Sequence, residues 1–209
     1  AGHTGTLDAM ATGLLPLTFG EATKFSADLL NADKLYRATL QLGITTRTGA
    51  ADGDVIGRCD AAVSSAQLDA ALSRFIGTVA QVPPMHSALK RDGQPLYKLA
   101  RAGTEVERAP RQVTVHQMTL VERCGDVVVV DVDCSKGTYV RVLAQDIGRA
   151  LGCGAHLTAL RRTRAGRLSV DDAVTLSALE AMSLELRRGR LLPADELLAS
   201  LATVRLDDV

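Results

Sequence analysis

Two neighbouring segments that alternate apolar with polar residues constrain the fold of this chain most. They run from Arg111 to Glu122 and from Asp126 to Cys134, they are rich in valine, and Cys124-Gly125 separates them. Alternation with a period of two gives each strand one apolar face, and a short connection favours antiparallel neighbours. The sequence therefore predicts a β-hairpin with one buried face.

The segment that follows the hairpin changes from a period of two to a helical period. After Ser135-Lys136-Gly137-Thr138, apolar residues recur at helical spacing until Gly152, at Val140, Leu143, Ala144, Ile147 and Leu151. This predicts a strand-turn-helix joint at residues 134 to 141, with Arg141 in the first helical turn. A cation there faces the positive end of the helix dipole, a mismatch of about 0.3–1 kcal/mol that an anion would offset. Asp8 is one candidate partner, while pairing with Asp146 or exposure to solvent is at least as favoured by periodicity.

The remaining periodicity indicates helices and strands that do not alternate strictly. Tyr36, Ala38, Leu40 and Leu42 share one face of a strand from Leu35 to Gly43, and Ser64 with Gln67 forms a capping box before a helix that ends at Gly77. Further predicted strands are Met85–Lys90 and Ala155–Leu160, and further predicted helices are Glu21–Leu30, Leu96–Ala102 and 178–188, the last capped by Ser177. The fold class predicted is α+β, a mixed, mostly antiparallel sheet with packed helices.

Composition excludes several classes of protein. Apolar residues make up 46% and charged residues 23%, which is typical of one soluble main domain, and no apolar run is long enough to cross a bilayer. Four scattered cysteines without a CxxC pair favour reduced thiols and a cytoplasmic location. Cys153 and His156 are at most half of a zinc site, so we expect no metal.

The net charge leaves only a local surface for a polyanionic partner. Lysine plus arginine equals aspartate plus glutamate, at 24 each. Cations cluster nonetheless at Lys34, Arg37 and Arg47, at Lys90-Arg91, at Lys136, and along the run Arg161, Arg162, Arg164 and Arg167. Because such runs usually mark a solvated face, they permit nucleic-acid binding without indicating it.

The opening segment, from Gly2 to Pro16, carries the densest chemical signal. It holds three glycines, three threonines and one carboxylate, Asp8, without helical periodicity. Such a loop turns sharply and approaches another group closely, which is typical of binding and catalysis. Asp8 could equally hydrogen-bond loop amides. Walker, GxSxG and GxGxxG motifs are absent from the sequence.

Tyr36 is a second candidate, because the chain has only three tyrosines and three phenylalanines. On an alternating strand its ring packs into the core more often than it performs chemistry. Stacking on a nucleic-acid base is the alternative.

Several sequence blocks together resemble the TruB family of pseudouridine synthases. GHTGTLDAMATGLLP at 2–16 is similar to the catalytic-loop signature of that family, and the order of the family continues to about residue 185 in GEATKF, KLYRATLQLG, QVPPMHSALKRDGQPLYKLARAG, CSKGTYVRVLAQDIG and GCGAHLTALRR. The resemblance implies the pseudouridine synthase fold. It also implies an isomerase that flips the T-loop uridine of tRNA, position 55, out of its stack and converts it to pseudouridine without a cofactor.

The same resemblance assigns roles to individual residues. It makes Asp8 the nucleophile, Tyr36 the ring that stacks on the target base, and Arg141 the partner of Asp8. We expect contacts with substrate or RNA from His3, Thr6, Lys90, Lys136, Tyr139 and Leu160. Whether the carboxylate attacks the sugar C1′ or the pyrimidine C6, or assists proton removal from the sugar, stays open. The expected partner is the T-arm of tRNA, bound by a monomer.

Departures from the family pattern lead to further expectations. Ala9-Met10 stands where a proline usually follows the aspartate, and a Lys-Pro-x-Gly strand is absent from the sequence. We therefore expect residues 1–185 to form the catalytic domain without its N-terminal strand, and residues 186–209 to lead toward a PUA-type RNA-binding domain that this sequence lacks.

Two other functions are compatible with parts of the pattern. A non-catalytic RNA-binding relative would keep the fold, but it would have no need for Asp8, Tyr36 and Arg141 together. A hydrolase or phosphotransferase with an aspartate nucleophile usually requires a second carboxylate or a metal nearby, and no DxD accompanies Asp8.

Overall fold

A computed structural model describes residues 1–195 of the chain. The strands are β1 (Gly2–His3), β2 (Thr12–Gly13), β3 (Leu17–Thr18), β4 (Lys34–Leu42), β5 (Ile44–Thr46), β6 (Val55–Arg58), β7 (Gly77–Gln81), β8 (Lys90–Arg91), β9 (Gln94–Pro95), β10 (Arg111–Cys124), β11 (Val127–Cys134), β12 (Ala155–Ala165) and β13 (Leu168–Ser169). The α-helices are α1 (Ala27–Asn31), α2 (Ser65–Ser73), α3 (Leu96–Arg101), α4 (Val140–Ala150), α5 (Leu176–Ala181) and α6 (Leu184–Arg188), and 3₁₀-helices span Gly20–Phe25 and Val170–Asp172.

The main sheet has seven strands, in the order β13-β12-β4-β11-β10-β7 with β2 beside β12. The β2–β12 pairing is parallel and the other strand pairings of this sheet are antiparallel. The predicted hairpin is present, with Cys124 opposite Val127 at its turn and Val115 opposite Cys134 at its far end. The predicted fold class, α+β with a mixed and mostly antiparallel sheet, is confirmed.

Strand β4 lies inside the sheet, between β11 and β12. Tyr36 is therefore flanked by Val132 of β11 and by Arg162 of β12. The predicted face of β4 is confirmed, since Ala38, Leu40 and Leu42 are buried. Because strand neighbours project side chains to the same face, this register brings Tyr36 and Arg162 together.

The hydrophobic core lies between one face of the sheet and the helices α2 and α4. The buried positions of β4, β11 and β12 meet the predicted apolar face of α4, formed by Val140, Leu143, Ala144 and Ile147. Helix α4 approaches β12 closely at Gly148, where a Cβ atom would overlap the backbone of Ala155. At the other end of α4, the buried residues Val140 and Leu143 hold the start of the helix, and with it Arg141, against the core.

The start of α2 is confirmed, but its predicted end and one predicted strand are wrong. The Ser64–Gln67 capping box is present, although α2 ends at Ser73 rather than at Gly77. The predicted helix Leu96–Ala102 is present as α3. No strand spans Met85–Leu89. Pro83 and Pro84 have no amide hydrogens to donate to a neighbour, and Ser87 N bonds locally to the Met85 carbonyl at 2.9 Å.

Two predicted helices are each divided in the structure. The segment Glu21–Leu30 forms a 3₁₀ turn followed by α1, because the Ser26 hydroxyl bonds to the Thr23 carbonyl at 2.9 Å and competes with the helical ladder at the junction. The segment 178–188 forms α5 and α6, capped by Thr175 and Ser183 rather than by Ser177. The predicted boundary at 186 falls within α6, and residues 196–209 lie outside the described range, so the domain division stays a prediction.

Candidate active site

The centre of the candidate site is an ion pair between Asp8 and Arg141. Arg141 Nε donates to Asp8 Oδ2 at 2.7 Å and Arg141 Nη2 donates to Asp8 Oδ1 at 3.0 Å, so both carboxylate oxygens are engaged. Bidentate pairing of this kind fixes direction as well as distance. The guanidinium side chain is 6% exposed whereas the carboxylate side chain is 34% exposed. The Asp8 carboxylate is therefore partly exposed to solvent, while the Arg141 guanidinium that binds it is buried.

Arg141 is held by two further hydrogen bonds to backbone carbonyls. Its Nη2 donates to His86 O at 2.7 Å and its Nη1 donates to Thr48 O at 3.3 Å. One guanidinium thus joins the Asp8 loop to two other segments. The alternative partner, Asp146, bonds instead to Arg149 at 2.6 Å on the surface of α4.

The loop that carries Asp8 is fastened on both sides. Strands β1 and β3 pair at its base, and the Leu14 amide bonds to the Arg162 carbonyl at 2.8 Å beside the β2–β12 contact. At its tip, Ala11 N bonds to the Asp8 carbonyl at 2.8 Å, which closes a turn. Met10 and Ala11 pack against the core, so the loop keeps a turn where the family usually has proline.

Tyr36 lies on β4, which β12 separates from the β2 strand of this loop, and it is half-buried at the edge of the core. Burial raises the pKa of its phenol, while the charge of the neighbouring Arg162 guanidinium acts in the opposite direction. The negative charge of Asp8 adds a smaller upward contribution to that pKa. Tyr36 and Asp8 therefore share one electrostatic environment, and the ring is partly open to a ligand.

Tyr139 is the residue immediately before α4. Its backbone amide donates to Gln81 Oε1 at 3.0 Å, and Gln81 Nε2 donates back to the Tyr139 carbonyl at 3.4 Å. Burial raises the pKa of the Tyr139 phenol, and the positive charges of Arg111 and Arg141 act in the opposite direction. Gln81 is buried and fastens the start of α4 to the end of β7. Sequence reasoning missed this contact, for which a glutamine at a strand end gives no distinctive signal.

The other predicted contact residues are distributed around this centre. His3, Thr6 and Lys90 are exposed, and Lys136 is exposed with its Nζ bonded to Asn31 Oδ1 at 2.7 Å. Leu160 is buried on β12 opposite Ala38. Within residues 1–195, no hydrogen bond joins Lys90 or Lys136 to Asp8, Tyr36 or Arg141.

The cations of the predicted basic clusters differ in burial and in their bonding partners. Lys34 is buried and donates to three carbonyls at the end of α1, those of Leu29, Leu30 and Ala32. Arg37 forms a bidentate pair with Asp131 at 2.8 and 2.7 Å. The expectation that such cations mark a solvated face is wrong for Lys34 and Arg162. Lys34 satisfies helix carbonyls, and Arg162 is 1% exposed on the inward face of β12.

Sequence reasoning missed the position of Arg162, although the pattern held a signal for it. The predicted strand Ala155–Leu160 continues to Ala165, so the basic run belongs to β12. With a period of two, Arg162 shares the buried face of Leu160 while Arg161 points to the exposed face.

No group of three or more histidine, cysteine or carboxylate side chains in residues 1–195 is arranged to hold a metal ion. His156 is a buried residue whose Nδ1 lies 2.9 Å from the carbonyl oxygen of Ile44. In the same part of the chain, no helix combines the length and the apolar content needed to cross a membrane.

Solved structures with similar folds include a Cbf5-Nop10-Gar1 complex, with a TM-score of 0.71 and 30% sequence identity over 94% of this chain. An H/ACA RNP bound to a substrate RNA containing 2'-deoxyuridine gives a TM-score of 0.67 and 26% identity, again over 94% of this chain. The chain spans about half the length of those proteins, 52% and 51% respectively.

Relatives found by sequence have a higher identity to this chain than these solved structures. The tRNA pseudouridine synthase B of Burkholderia mallei is 59% identical over 207 residues, which cover 99% of this chain and 68% of that protein. The proteins of the same name from Aromatoleum aromaticum and Ralstonia nicotianae are 60% and 58% identical, over 99% of this chain and 67% of each relative.

Two family models match nearly the whole chain. That of the N-terminal domain of the TruB family pseudouridylate synthases matches residues 1–140, and that of the C-terminal domain of tRNA pseudouridylate synthase B matches residues 141–199. The boundary between the two matches falls at the start of α4, between Val140 and Arg141. With the fold and the Asp8–Arg141 pair described above, these matches show that the chain belongs to the TruB family of pseudouridylate synthases.

Proposed function

We propose that this chain is a tRNA pseudouridine synthase that isomerises the T-loop uridine at position 55, with Asp8 as its nucleophile. Membership of the TruB family and the names of the relatives support an enzyme that acts on tRNA. The observation that carries the proposal is the Asp8–Arg141 pair, in which a one-third exposed carboxylate is oriented by a buried guanidinium.

The reaction needs a nucleophile and a pocket rather than a redox carrier. The bond from N1 to the sugar C1′ breaks, the uracil ring turns, and a bond from C5 to C1′ forms. The hydrogen on C5 is released as a proton and N1 gains one, so atoms and electrons balance without a cofactor. Asp8 can bond transiently to the sugar or to the base, and both routes are compatible with its position.

Arg141 contributes orientation to this step. Its two hydrogen bonds leave one lone-pair direction on each carboxylate oxygen for the substrate, and its bonds to Thr48 O and His86 O keep the guanidinium from following a moving carboxylate. A preorganised charged group costs no rearrangement when the transition state forms.

Tyr36 supplies a surface for the extruded base. Removing a base from its stack costs a few kcal/mol, and stacking on an aromatic ring returns about 1–3 kcal/mol. The half-buried ring, whose phenol is affected by the charge of Asp8, suits this role. Leu160 and Tyr139 would border the same pocket, and we assign them to base contact.

The exposed groups around the loop suit contacts with folded RNA. His3 and Thr6 lie on the accessible side of the Asp8 loop, and Lys90 and Lys136 present amines without carboxylate partners among the described residues. Because the whole chain is neutral, phosphate contacts should come from such local cations. We propose a monomer that binds the T-arm of tRNA in the cytoplasm without a metal ion.

The test is pseudouridine formation in a short T-arm stem-loop RNA, quantified by nucleoside chromatography. Asp8→Asn should lower the rate by at least about 10³-fold, in line with the loss of a nucleophile elsewhere. Asp146→Asn is the matched control, since it removes a carboxylate paired on the surface of α4. A stem-loop with cytidine at the target position should yield no product. Equal rates for the unchanged protein and Asp8→Asn would exclude the proposed mechanism.

A further inference from the structure

Arg162 is a buried cation that has no carboxylate partner among the described residues. Its side chain is among the largest fully buried ones in the described chain, with 1% exposure. No carboxylate of residues 1–195 lies within ion-pair distance of its nitrogens. Desolvating an unpaired guanidinium costs several kcal/mol unless neutral acceptors replace water. The fold therefore bears a cost at this position that an apolar residue would avoid.

The acceptors that replace water belong to the two arms of the Asp8 loop. Arg162 Nε donates to Leu14 O at 2.8 Å, and Arg162 Nη2 donates to Gly5 O at 3.2 Å. Gly5 precedes Asp8 by three residues and Leu14 follows it by six. One rigid fork thus joins the incoming and outgoing arms of the loop.

The backbone of Arg162 holds the same loop. Its carbonyl accepts from the Leu14 amide at 2.8 Å, and Gly13 lies opposite it in the β2–β12 pairing. The approach is so close that a Cβ atom on Gly13 would overlap the Arg162 carbonyl oxygen. The loop and β12 therefore share one fixed geometry at this point.

The guanidinium also reaches the second candidate residue. Arg162 and Tyr36 are opposite each other in the β12–β4 register, so their side chains project side by side, and the guanidinium charge acts on the Tyr36 phenol. A single residue consequently bonds both arms that carry Asp8 and is the cross-strand neighbour of the ring proposed to stack on the base.

We propose that Arg162 is a positioning residue that fixes the Asp8 carboxylate and the Tyr36 ring relative to each other. This inference rests on the proposed function and deepens it. Because Arg162 is 1% exposed, we assign it no contact with the substrate; it sets the distance between the two groups proposed to make that contact. Since a displacement of about 1 Å can cost roughly 10²-fold in rate, the effect should appear in kcat and much less in KM.

The experiment compares Arg162→Met and Arg162→Lys with Arg123→Met. Arg123 is the matched control because its guanidinium also donates to two carbonyls, Val63 O at 2.6 Å and Gly125 O at 3.0 Å, at the turn of the β10–β11 hairpin. Lysine retains the charge, but its one nitrogen cannot bond both loop arms as the guanidinium does. It supplies a second variant if Arg162→Met fails to fold.

We expect kcat on the stem-loop to fall about 10²-fold in Arg162→Met and about 10-fold in Arg162→Lys, with KM changed by less than about 3-fold. Arg123→Met should keep the kcat of the unchanged protein. A folded Arg162→Lys variant with unchanged kcat would overturn the inference, as would an equal loss of kcat in Arg123→Met.

A second readout follows the Tyr36 hydroxyl itself. The chain has three tyrosines, so ¹³Cζ labelling of tyrosine gives a spectrum that Tyr→Phe variants can assign. Substituting Arg162 should move the Tyr36 resonance at neutral pH and leave that of Tyr97 in place, and an unmoved Tyr36 signal would contradict the inference. An unchanged protein that makes no pseudouridine would refute the proposed function instead, while this spectrum would still decide whether Arg162 contacts Tyr36.

Discussion

The Asp8–Arg141 pair should contribute measurably to stability as well as to chemistry, and a double-mutant cycle with Asp8→Asn and Arg141→Met tests this. Breaking a fully buried pair costs about 3–5 kcal/mol, whereas exposed pairs contribute about 0.2–1 kcal/mol. Arg141 is 6% exposed and Asp8 34% exposed, so the pair lies between those limits. We expect a coupling free energy of about 1.5–3 kcal/mol.

The reference cycle uses Asp146→Asn and Arg149→Met on the same helix. That pair is three residues apart, and the Arg149 side chain is 77% exposed, so about 0.3 kcal/mol is expected. Both cycles are measured by urea unfolding at low salt and at about 0.5 M NaCl, which screens exposed charges far more than buried ones. The Asp8–Arg141 coupling should persist at high salt. A coupling no larger than that of the reference pair would refute the claim that the carboxylate is held by a buried cation.

Three further predictions concern backbone, thiol and ring. Gly13→Ala should lower the free energy of unfolding by about 2–4 kcal/mol, since φ is +97° and a Cβ would meet the β12 backbone. The control Gly125→Ala, at φ +58° in open space, should lower it by about 1 kcal/mol. Equal losses in urea unfolding would contradict this prediction. Burial raises the pKa of the Cys134 thiol to about 12. At pH 8 a disulfide reagent should therefore modify Cys134 only when the protein unfolds, whereas the exposed Cys59 should react in the folded protein. Equal modification rates of the two thiols in the folded protein would argue against the burial of Cys134. Tyr36→Ala should lower kcat at least about 10-fold while keeping a cooperative thermal transition, and a collapsed transition would assign the ring to core packing.

The sheet and α4 could be predicted from the sequence because burial there imposes a period. Alternation along β4 and β11 and the helical spacing of Val140 and Ile147 each place one face in the core. The prediction of a strand at Met85–Leu89 was wrong, because the pattern of apolar residues does not show that Pro83 and Pro84 lack amide hydrogens for strand pairing.

The candidate site depends on contacts that periodicity cannot reveal. Asp8 and Arg141 are separated by 133 residues, and the local alternative, Asp146, was equally compatible with helical spacing. The helix-dipole argument made Asp8 one candidate partner of Arg141, and only the resemblance to the family singled it out. Arg162 was missed for a different reason, because the tendency of basic runs to face solvent was given more weight than the alternation of β12.

Release of hydrogen from C5 of the target uridine tests the central claim most directly. A T-arm stem-loop with tritium at C5 of the T-loop uridine alone loses its label to water when C5 gives up its hydrogen in forming the new bond to the sugar. The unchanged protein and Asp146→Asn should release the label at similar rates, and Asp8→Asn should release it at least about 10³-fold more slowly. Release at the unchanged rate by a folded Asp8→Asn variant would contradict the account.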